Sequence, residues 1–203
     1  MSDTILKVTN VTKRFGGVCA LDNVNLELKK GEIHCLVGGN GSGKSTLIKI
    51  ISGFYKPDGG TVEIDGIRHT QKYSTMDAIA AGVQVIYQDM SVFPNLTVAE
   101  NIALTINKSE NKKLVNWKQV DEVAQQAFDK IGVQMPLHEL LEDMSVADKQ
   151  IVAIARAILY DAKLLIMDEP TTALTRKEID KLFEIVRNLQ AQGVSILFVS
   201  HKL

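Results

Sequence analysis

Gly38-Gly39-Asn40-Gly41-Ser42-Gly43-Lys44-Ser45 is the stretch of sequence that decides the fold. It fits the spacing G-x-x-x-x-G-K-S/T, follows the apolar run Ile33–Val37, and leads through Thr46 into apolar residues at helical spacing. Glycines let a loop curl until successive backbone N–H groups and a helix N-terminus converge on phosphate oxygens. The pattern therefore predicts a phosphate-binding loop between a buried strand and a helix, and a flexible glycine turn is the alternative.

Two side chains of this loop have the chemistry that a bound nucleotide requires. Lys44 supplies a positive charge to the β- and γ-phosphates, and Ser45 offers its hydroxyl to Mg²⁺. The backbone from Gly38 to Thr46 is expected to hold the phosphate groups.

A second motif is an apolar strand that ends in two carboxylates, Leu164-Leu165-Ile166-Met167-Asp168-Glu169. If this strand lies beside the phosphate-binding loop, Asp168 can hold Mg²⁺ through its water shell and Glu169 can polarise an attacking water. The alternative is that both acids cap the following loop.

Short apolar runs alternate with helical patterns along the chain, which is typical of an α/β protein with a mostly parallel sheet. Four runs are too apolar to alternate and are predicted as central strands: 33–37, 83–87, 164–167 and 194–199. Three runs that mix polar and apolar positions are predicted to form an antiparallel flanking sheet: 5–11, 23–28 and 61–64.

Helices are indicated by capping residues followed three positions later by an acid or amide. These pairs are Thr97 with Glu100, Asn116 with Gln119, and Thr175 with Glu178. Between the strands at 83–87 and 164–167 the pattern is only helix or loop. We therefore expect a single domain over 1–203, with a core formed by 1–88 and 161–203 and a helical subdomain at 89–160.

Composition narrows the class of protein. The 203 residues are 45% hydrophobic, and 23 basic against 24 acidic residues leave a net charge of −1, which argues against a nucleic-acid-binding surface. The two cysteines, Cys19 and Cys35, predict reduced thiols in a cytosolic protein. No apolar run reaches 18 residues, so a membrane role would require a partner. Because the strand at 194–199 lies so near Leu203, we expect a chain truncated at its carboxyl end.

Together these residues resemble the nucleotide-binding domains of ABC transporters. Lys44 and Ser45 look like the Walker A motif of that family, while Asp168 and Glu169 look like its Walker B aspartate and catalytic glutamate. The resemblance implies an α/β P-loop NTPase cassette with a mostly parallel core sheet, an antiparallel β subdomain and a helical insertion. It also implies ATP and Mg²⁺ as ligands and an ATPase activity.

Three further residues fall in the order that the family shows. Gln88 is similar to its Q-loop glutamine, which also contacts Mg²⁺. His201 is similar to the switch histidine that contacts the γ-phosphate, and Phe15 resembles the aromatic residue that stacks on adenine. The resemblance therefore runs from residue 15 to residue 201.

Two further sets of residues indicate which group of ABC transporters the sequence resembles. The stretches 93–101 and 168–175 look like the amino-terminal half of the fused, two-cassette ATPases of simple-sugar importers. The pair Gly38-Gly39, with 146–148, is closer to the autoinducer-2 importers. The implied partners are membrane permease subunits, a second cassette (the missing carboxyl-terminal half and another copy) and, indirectly, a solute-binding protein. No nucleic acid is implied, and the expected location is the cytoplasmic face of the membrane.

The sequence departs from the family at two motifs. The family's Leu-Ser-Gly-Gly-Gln signature, which contacts the partner cassette's nucleotide, stands here as Met144-Ser145-Val146-Ala147-Asp148. Ser145 can still cap the next helix, but side chains replace both glycines and Asp148 adds a negative charge. Thr175 replaces the D-loop aspartate. We therefore expect a competent site at this chain's own Walker motifs and a weaker site where Ser145 is borrowed.

Coupling to a permease is predicted for Gln88 and for three apolar residues expected to be exposed, Val92, Phe93 and Leu96. The alternative for the apolar residues is inward packing against the helix capped by Thr97. Two other functions remain open. A soluble ABC ATPase of translation or DNA repair predicts a basic face or a coiled-coil arm, and a P-loop kinase predicts a pocket for an acceptor substrate.

Overall fold

The computed structural model describes residues 3–69, 73–104 and 116–201. These residues divide into two compact units. The first unit comprises Met1–Val85, Ala162–Pro170 and Gln190–Leu203, and the second comprises Ile86–Asp161 and Thr171–Leu189.

The described residues form eight strands and six α-helices. The strands are β1 (Thr4–Phe15), β2 (Val18–Lys29), β3 (Ile33–Val37), β4 (Gly59–Ile64), β5 (Ile67–His69), β6 (Val83–Ile86), β7 (Leu164–Asp168) and β8 (Ser195–Ser200). The helices are α1 (Lys44–Ile51), α2 (Thr75–Ala80), α3 (Val98–Ala103), α4 (Trp117–Ile131), α5 (Val146–Leu159) and α6 (Arg176–Ala191). A 3₁₀ turn lies at Leu141–Asp143.

The parallel sheet has the strand order β3-β8-β7-β6. β8 pairs in parallel with β3 on one side and with β7 on the other, and Ile196 lies opposite both Ile33 and Leu165. The prediction of central strands is confirmed for β7 and β8, which are almost wholly buried. In the sheet that the described residues form, it is wrong for β3 and β6, which lie at the two edges. Ile33 and Val37 keep 38% and 39% of their surface exposed, because apolar composition alone does not distinguish an edge strand from a central one.

The predicted antiparallel sheet is present, with the order β2-β1-β4-β5. Leu6 of β1 lies opposite Leu28 of β2 and Ile64 of β4, and all three side chains are fully buried. β1 and β2 are each longer than predicted, because register shifts let the hairpin continue past polar positions. The short strand β5 was not predicted from the sequence.

The helices of the second unit begin where their capping residues predicted. Thr97 forms a reciprocal capping box with Glu100, and Asn116 accepts a hydrogen bond from the Gln119 amide. Thr175 differs, since its hydroxyl donates to the Glu178 carboxylate at 2.7 Å. The buried faces of α3, α4 and α5 consist mainly of apolar side chains, such as Ile102, Phe128 and Ile154.

In the part of the chain that the structure describes, no helix combines the length and the apolar character needed to cross a bilayer. Cys19 and Cys35 are both exposed free thiols.

Candidate functional site

The phosphate-binding loop lies between β3 and α1, in the first unit. Gly43 is the N-cap of α1 and has a φ of +89°, a left-handed conformation that favours glycine. A Cβ atom at this position would lie 2.5 Å from the carbonyl oxygen of Ala20. No side chain caps α1, so the first backbone amides of the helix can donate hydrogen bonds to a ligand bound at the loop.

The Lys44 side chain folds back over this loop. Its Nζ donates hydrogen bonds to the carbonyl oxygens of Gly38 and Gly39, the second at 2.9 Å. Ser45, the next residue of α1, is exposed. The ammonium group of Lys44 thus lies at the loop carbonyls, and the next residue is accessible at the start of α1.

The carboxyl ends of the parallel strands meet at the loop. The Gly38 amide donates to the carbonyl of Ser200 at 3.3 Å, and Asp168 lies opposite Val199. Parallel strands expose their carboxyl ends at one edge of a sheet, where ligands of open α/β folds bind. The start of the phosphate loop, the two acids at the end of β7 and His201 after β8 are thus brought together.

Asp168 is half-buried at the end of β7. Burial raises the pKa of this carboxyl, and the carboxylate of Glu169 raises it further, while the ammonium groups of Lys44 and Lys49 act in the opposite direction. A partly buried carboxyl beside a second acid is suited to binding a cation.

Glu169 is held in a left-handed conformation, with a φ of +52°. Its amide donates to the carbonyl of Val199 at 2.9 Å. Its Oε1 lies 2.8 Å from Nδ1 of His201, a close contact without the alignment of a hydrogen bond. Because a glutamate rarely adopts this backbone conformation, its presence here indicates a functional constraint.

Phe15 lies at the end of β1 and is 42% exposed. Its ring meets the ring of Tyr55 edge-on, with centroids 5.2 Å apart, and Lys13 Nζ lies 5.4 Å from its centroid. The face of Phe15 is thus supported by neighbours that the sequence did not single out. The signal for Tyr55 is the aromatic pair Phe54-Tyr55 directly after α1.

In the second unit, Gln88 follows β6 by two residues. In the loop after Gln88, Phe93 is 50% exposed, as predicted. Val92 and Leu96 are half-buried, so the prediction that they are exposed is wrong. Of these three apolar side chains, only that of Phe93 keeps half of its surface exposed.

Ser145 is the N-cap of α5, as the sequence predicted. Its Oγ accepts a hydrogen bond from the Asp148 amide at 3.1 Å and donates one to the Asp148 carboxylate at 2.7 Å. Val146 is exposed and Ala147 is buried. The hydroxyl proton of Ser145 is therefore already committed to an acid of its own helix.

A sequence profile of the family described as "ABC transporter" matches residues 21–172. The chain belongs to the ABC transporter family. It is 42% identical over 205 residues to a putative ribose/galactose/methyl galactoside import ATP-binding protein of Geobacillus kaustophilus, covering 99% of this chain and 40% of that protein. It is 44% identical over 202 residues to ribose import ATP-binding protein RbsA 2 of Burkholderia cenocepacia, with the same two coverages. The chain thus spans about 40% of the length of these curated relatives.

Solved structures give the same fold for this ABC cassette. The ADP conformation of MJ1267, an ATP-binding cassette of an ABC transporter, matches with a TM-score of 0.86 at 27% identity, covering all of this chain and 83% of that one. The dimeric post-hydrolysis state of the cassette MJ0796, bound to ADP and Pi, matches with a TM-score of 0.80 at 28% identity, covering 98% of this chain and 88% of that one. The predicted P-loop cassette fold is confirmed.

Sequence reasoning missed two polar residues of the ABC cassette's second unit. Asn101 is completely buried in α3, and Arg156 lies in the otherwise apolar stripe of α5. Each one donates hydrogen bonds to backbone carbonyls of the loop after Gln88. A charged residue within the apolar run 151–158 was the available signal for Arg156.

Proposed function

We propose that this ABC cassette binds Mg·ATP and hydrolyses it to power the import of a simple sugar or sugar-like solute through a membrane permease. The observation that carries the proposal is the convergence of Gly38, Glu169 and His201 at one edge of the parallel sheet. The names of the relatives, import proteins for ribose and galactose, support the class of solute.

The phosphate-binding loop holds the nucleotide. The loop from Gly38 to Thr46, which includes Asn40, Gly41 and Ser42, holds the phosphate chain because backbone amides of the loop donate hydrogen bonds to phosphate oxygens. Lys44 turns from the loop carbonyls to the β- and γ-phosphates. The exposed face of Phe15 stacks on adenine, and Tyr55 holds the ring edge-on. Binding therefore uses residues of the first unit.

The side chains present fit Mg²⁺. In the described ranges, no group of three or more His, Cys, Asp or Glu side chains converges on one point, as a metal held wholly by protein would require. Mg²⁺ instead keeps several waters and uses one or two protein oxygens with substrate phosphates. Ser45 and Asp168 of the first unit supply such oxygens, and the resemblance to the family adds Gln88 to them. When bound, the ion neutralises charge on the β- and γ-phosphates.

Glu169 is the general base of the proposed reaction. Its carboxylate takes a proton from water as the water oxygen bonds to the γ-phosphorus, and the bond from that phosphorus to the β–γ bridging oxygen breaks to leave ADP and phosphate. His201, which already contacts Glu169, donates a hydrogen bond to the γ-phosphate. Lys44 and Gln88 stabilise charge and orient the water, so catalysis consists mainly of positioning and charge stabilisation.

The partner of this chain in the reaction is a second cassette. Each ATP lies between one cassette's phosphate loop and the other's signature segment, Ser145 to Asp148 here. The dimeric form of MJ0796 supports such pairing. Because Ser145 is committed to Asp148, the site that borrows this segment is the weaker of the two.

The permease docks on the second unit, and the cassette is thereby held at the cytoplasmic face of the membrane. Phe93 is exposed at the surface although it is large and apolar, which favours contact with a permease helix. A solute-binding protein delivers the sugar to the permease on the other side.

The test uses the full-length protein with its permease in lipid vesicles. Lys44→Ala should weaken ATP binding because a phosphate-binding charge is lost. Glu169→Gln should keep ATP binding and lose phosphate release. Lys181→Ala, an exposed lysine of α6, is the matched control and should change neither.

Phosphate release without an acceptor substrate distinguishes an ATPase from a P-loop kinase. Normal turnover in Glu169→Gln would show that Glu169 is not the base. Co-purification with a membrane permease distinguishes an importer from a soluble ABC ATPase. This chain by itself should bind Mg·ATP but hydrolyse it slowly, because a complete site needs a signature from another cassette.

A further inference from the structure

The loop that follows Gln88 has an unusual backbone. Met90 and Ser91 both adopt left-handed conformations, with φ values of +56° and +46°. Neither residue is a glycine, and two consecutive residues of this kind are disfavoured because the Cβ atom approaches the following carbonyl. Such a conformation persists only where the surrounding structure imposes it.

Arg156 of α5 holds the strained residues. Its Nη2 donates to the carbonyl of Ser91 at 2.9 Å and approaches the carbonyl of Met90 at 3.5 Å. Burial lowers the pKa of this guanidinium, which nevertheless remains charged at any working pH. The guanidinium of Arg156, whose burial costs free energy, thus lies against two backbone carbonyls of a loop that is distant in sequence.

Asn101 fixes the other end of the same loop. Its side chain is fully buried, accepts from the Phe93 amide at 2.8 Å and donates to the Phe93 and Leu96 carbonyls at 2.9 and 3.2 Å. The backbone of Phe93 is therefore immobilised while half of its side chain remains exposed. Arg156 and Asn101 hold the loop on either side of Val92.

α5 joins this loop to the signature segment. Ser145 caps the helix and Arg156 lies eleven residues further, roughly 16 Å along the axis at 1.5 Å per residue. The same helix thus begins at Ser145, which is proposed above to serve a partner cassette's nucleotide, and its last turns contact the loop between Gln88 and Phe93.

We propose that Arg156 is a positioning residue, which holds the Gln88–Phe93 loop in its strained conformation and thereby orients Gln88 for hydrolysis. The inference rests on the proposed function, because Gln88 has this role only in an ATPase. Loss of Arg156 lets Met90 and Ser91 relax to ordinary backbone conformations, and Gln88 moves with them.

The test measures ATP hydrolysis by the full-length protein with its permease in vesicles. Arg156→Met should lower kcat at least about tenfold, since small misplacements of a catalytic group have large effects. KM for ATP should stay within about twofold, because the phosphate loop belongs to the first unit. Arg156→Lys should recover part of kcat, since an ammonium can still bond to the Ser91 carbonyl. Arg187→Met removes an exposed guanidinium of α6 and should leave both constants unchanged.

Hydrogen exchange of the amides from Ser91 to Phe93 provides a second measurement. Exchange should be faster in Arg156→Met than in the parent protein. If Arg156→Met does not fold, the Lys variant is combined with Ser91→Gly. Glycine adopts the left-handed conformation without strain, so the double variant should recover kcat relative to Arg156→Lys alone.

The outcomes separate the two proposals. A parent protein that hydrolyses no ATP would overturn the proposed function and this inference together. An active parent with normal kcat in a folded Arg156→Met variant would overturn the inference alone. Failure of Ser91→Gly to raise the kcat of Arg156→Lys would also overturn it, because relief of strain is the proposed mechanism.

Discussion

Nδ1 of His201 lies 2.8 Å from Oε1 of Glu169, so the residues that follow β8 and β7 face each other at one edge of the parallel sheet. The pairing of Asp168 with Val199 sets the height of both side chains along the strands. The left-handed backbone of Glu169 then turns its carboxylate toward His201. The strained backbone of Glu169 thus occurs at the residue whose contact with His201 is proposed to serve catalysis.

Glu169→Asn should separate stability from activity. Asparagine tolerates the left-handed conformation better than glutamate, so the free energy of unfolding should stay the same or rise by up to about 1 kcal/mol. Hydrolysis should fall at least about a hundredfold, because an amide cannot accept the proton of water. Thermal denaturation and phosphate release measure the two effects. A clear fall in Tm would contradict the strain assigned to Glu169.

Phe93→Asp should abolish transport without unfolding the protein. The side chain is half-exposed, and Asn101 fixes the local backbone independently of it. ATP binding and Tm should stay at parental values while solute uptake by the assembled importer is lost. Trp117→Asp, which changes another exposed aromatic of the second unit, is the control and should transport normally. Unfolding of the isolated chain by Phe93→Asp would place this residue in the core instead.

Asp148→Gln should strengthen the weaker of the two nucleotide sites. The substitution removes a carboxylate that accepts the Ser145 hydroxyl proton and would repel a γ-phosphate. ATP affinity at the site formed with this segment should rise severalfold in the full-length protein, while the site with this chain's Walker motifs is unchanged. Equilibrium binding resolved into two sites tests this, with Asp143→Asn as a nearby control. Unchanged affinity would mean that Asp148 does not limit the site.

Asp65 should make stability depend on pH in the acid range. Hydrogen bonds from Lys30 and Lys163, with Nζ atoms 2.6 and 2.9 Å from the carboxylate, lower the pKa of Asp65 from 3.8 to about 2. A lowered pKa means that the stabilisation is complete above about pH 4 and is lost as pH falls through about 2. After allowance for solvent screening it amounts to about 1 kcal/mol.

Asp65→Asn is the variant that tests this effect, because asparagine suits the left-handed backbone at this position, where φ is +50°. Denaturant unfolding should show the variant less stable than the parent at pH 7 and equal to it near pH 2. Asp180→Asn, an exposed acid 3.8 Å from Arg176, should have little effect at either pH. A difference between Asp65→Asn and the parent that persists at pH 2 would argue against a charge effect.

Local sequence signals predicted much of the fold. The caps at Thr97, Asn116 and Ser145 each place a side-chain acceptor at the start of a helix, and the structure has all three. Apolar runs located β7 and β8 but did not show that β3 is an edge strand. Strand order depends on which strands pair, and pairing is not visible in the composition of one strand.

The candidate site was predictable where a spacing rule exists and not elsewhere. The Lys44 loop and the acids at Asp168 and Glu169 follow from local patterns, and their roles stay predictions. Arg156 bonds to Ser91, 65 positions away in sequence, and its acceptor is a backbone carbonyl. Every residue has such a carbonyl, so the residue type at position 91 does not predict this hydrogen bond.

The edge position of β3 favours self-association of this chain in isolation. In the sheet formed by the described residues, β3 is paired with β8 and with no strand on its other side, and its Ile33 and Val37 are over a third exposed. Such a strand is a template on which another polypeptide can add its own strand. Self-association should therefore grow with protein concentration, and dilute samples with a charged substitution at Ile33 should stay monomeric for longer.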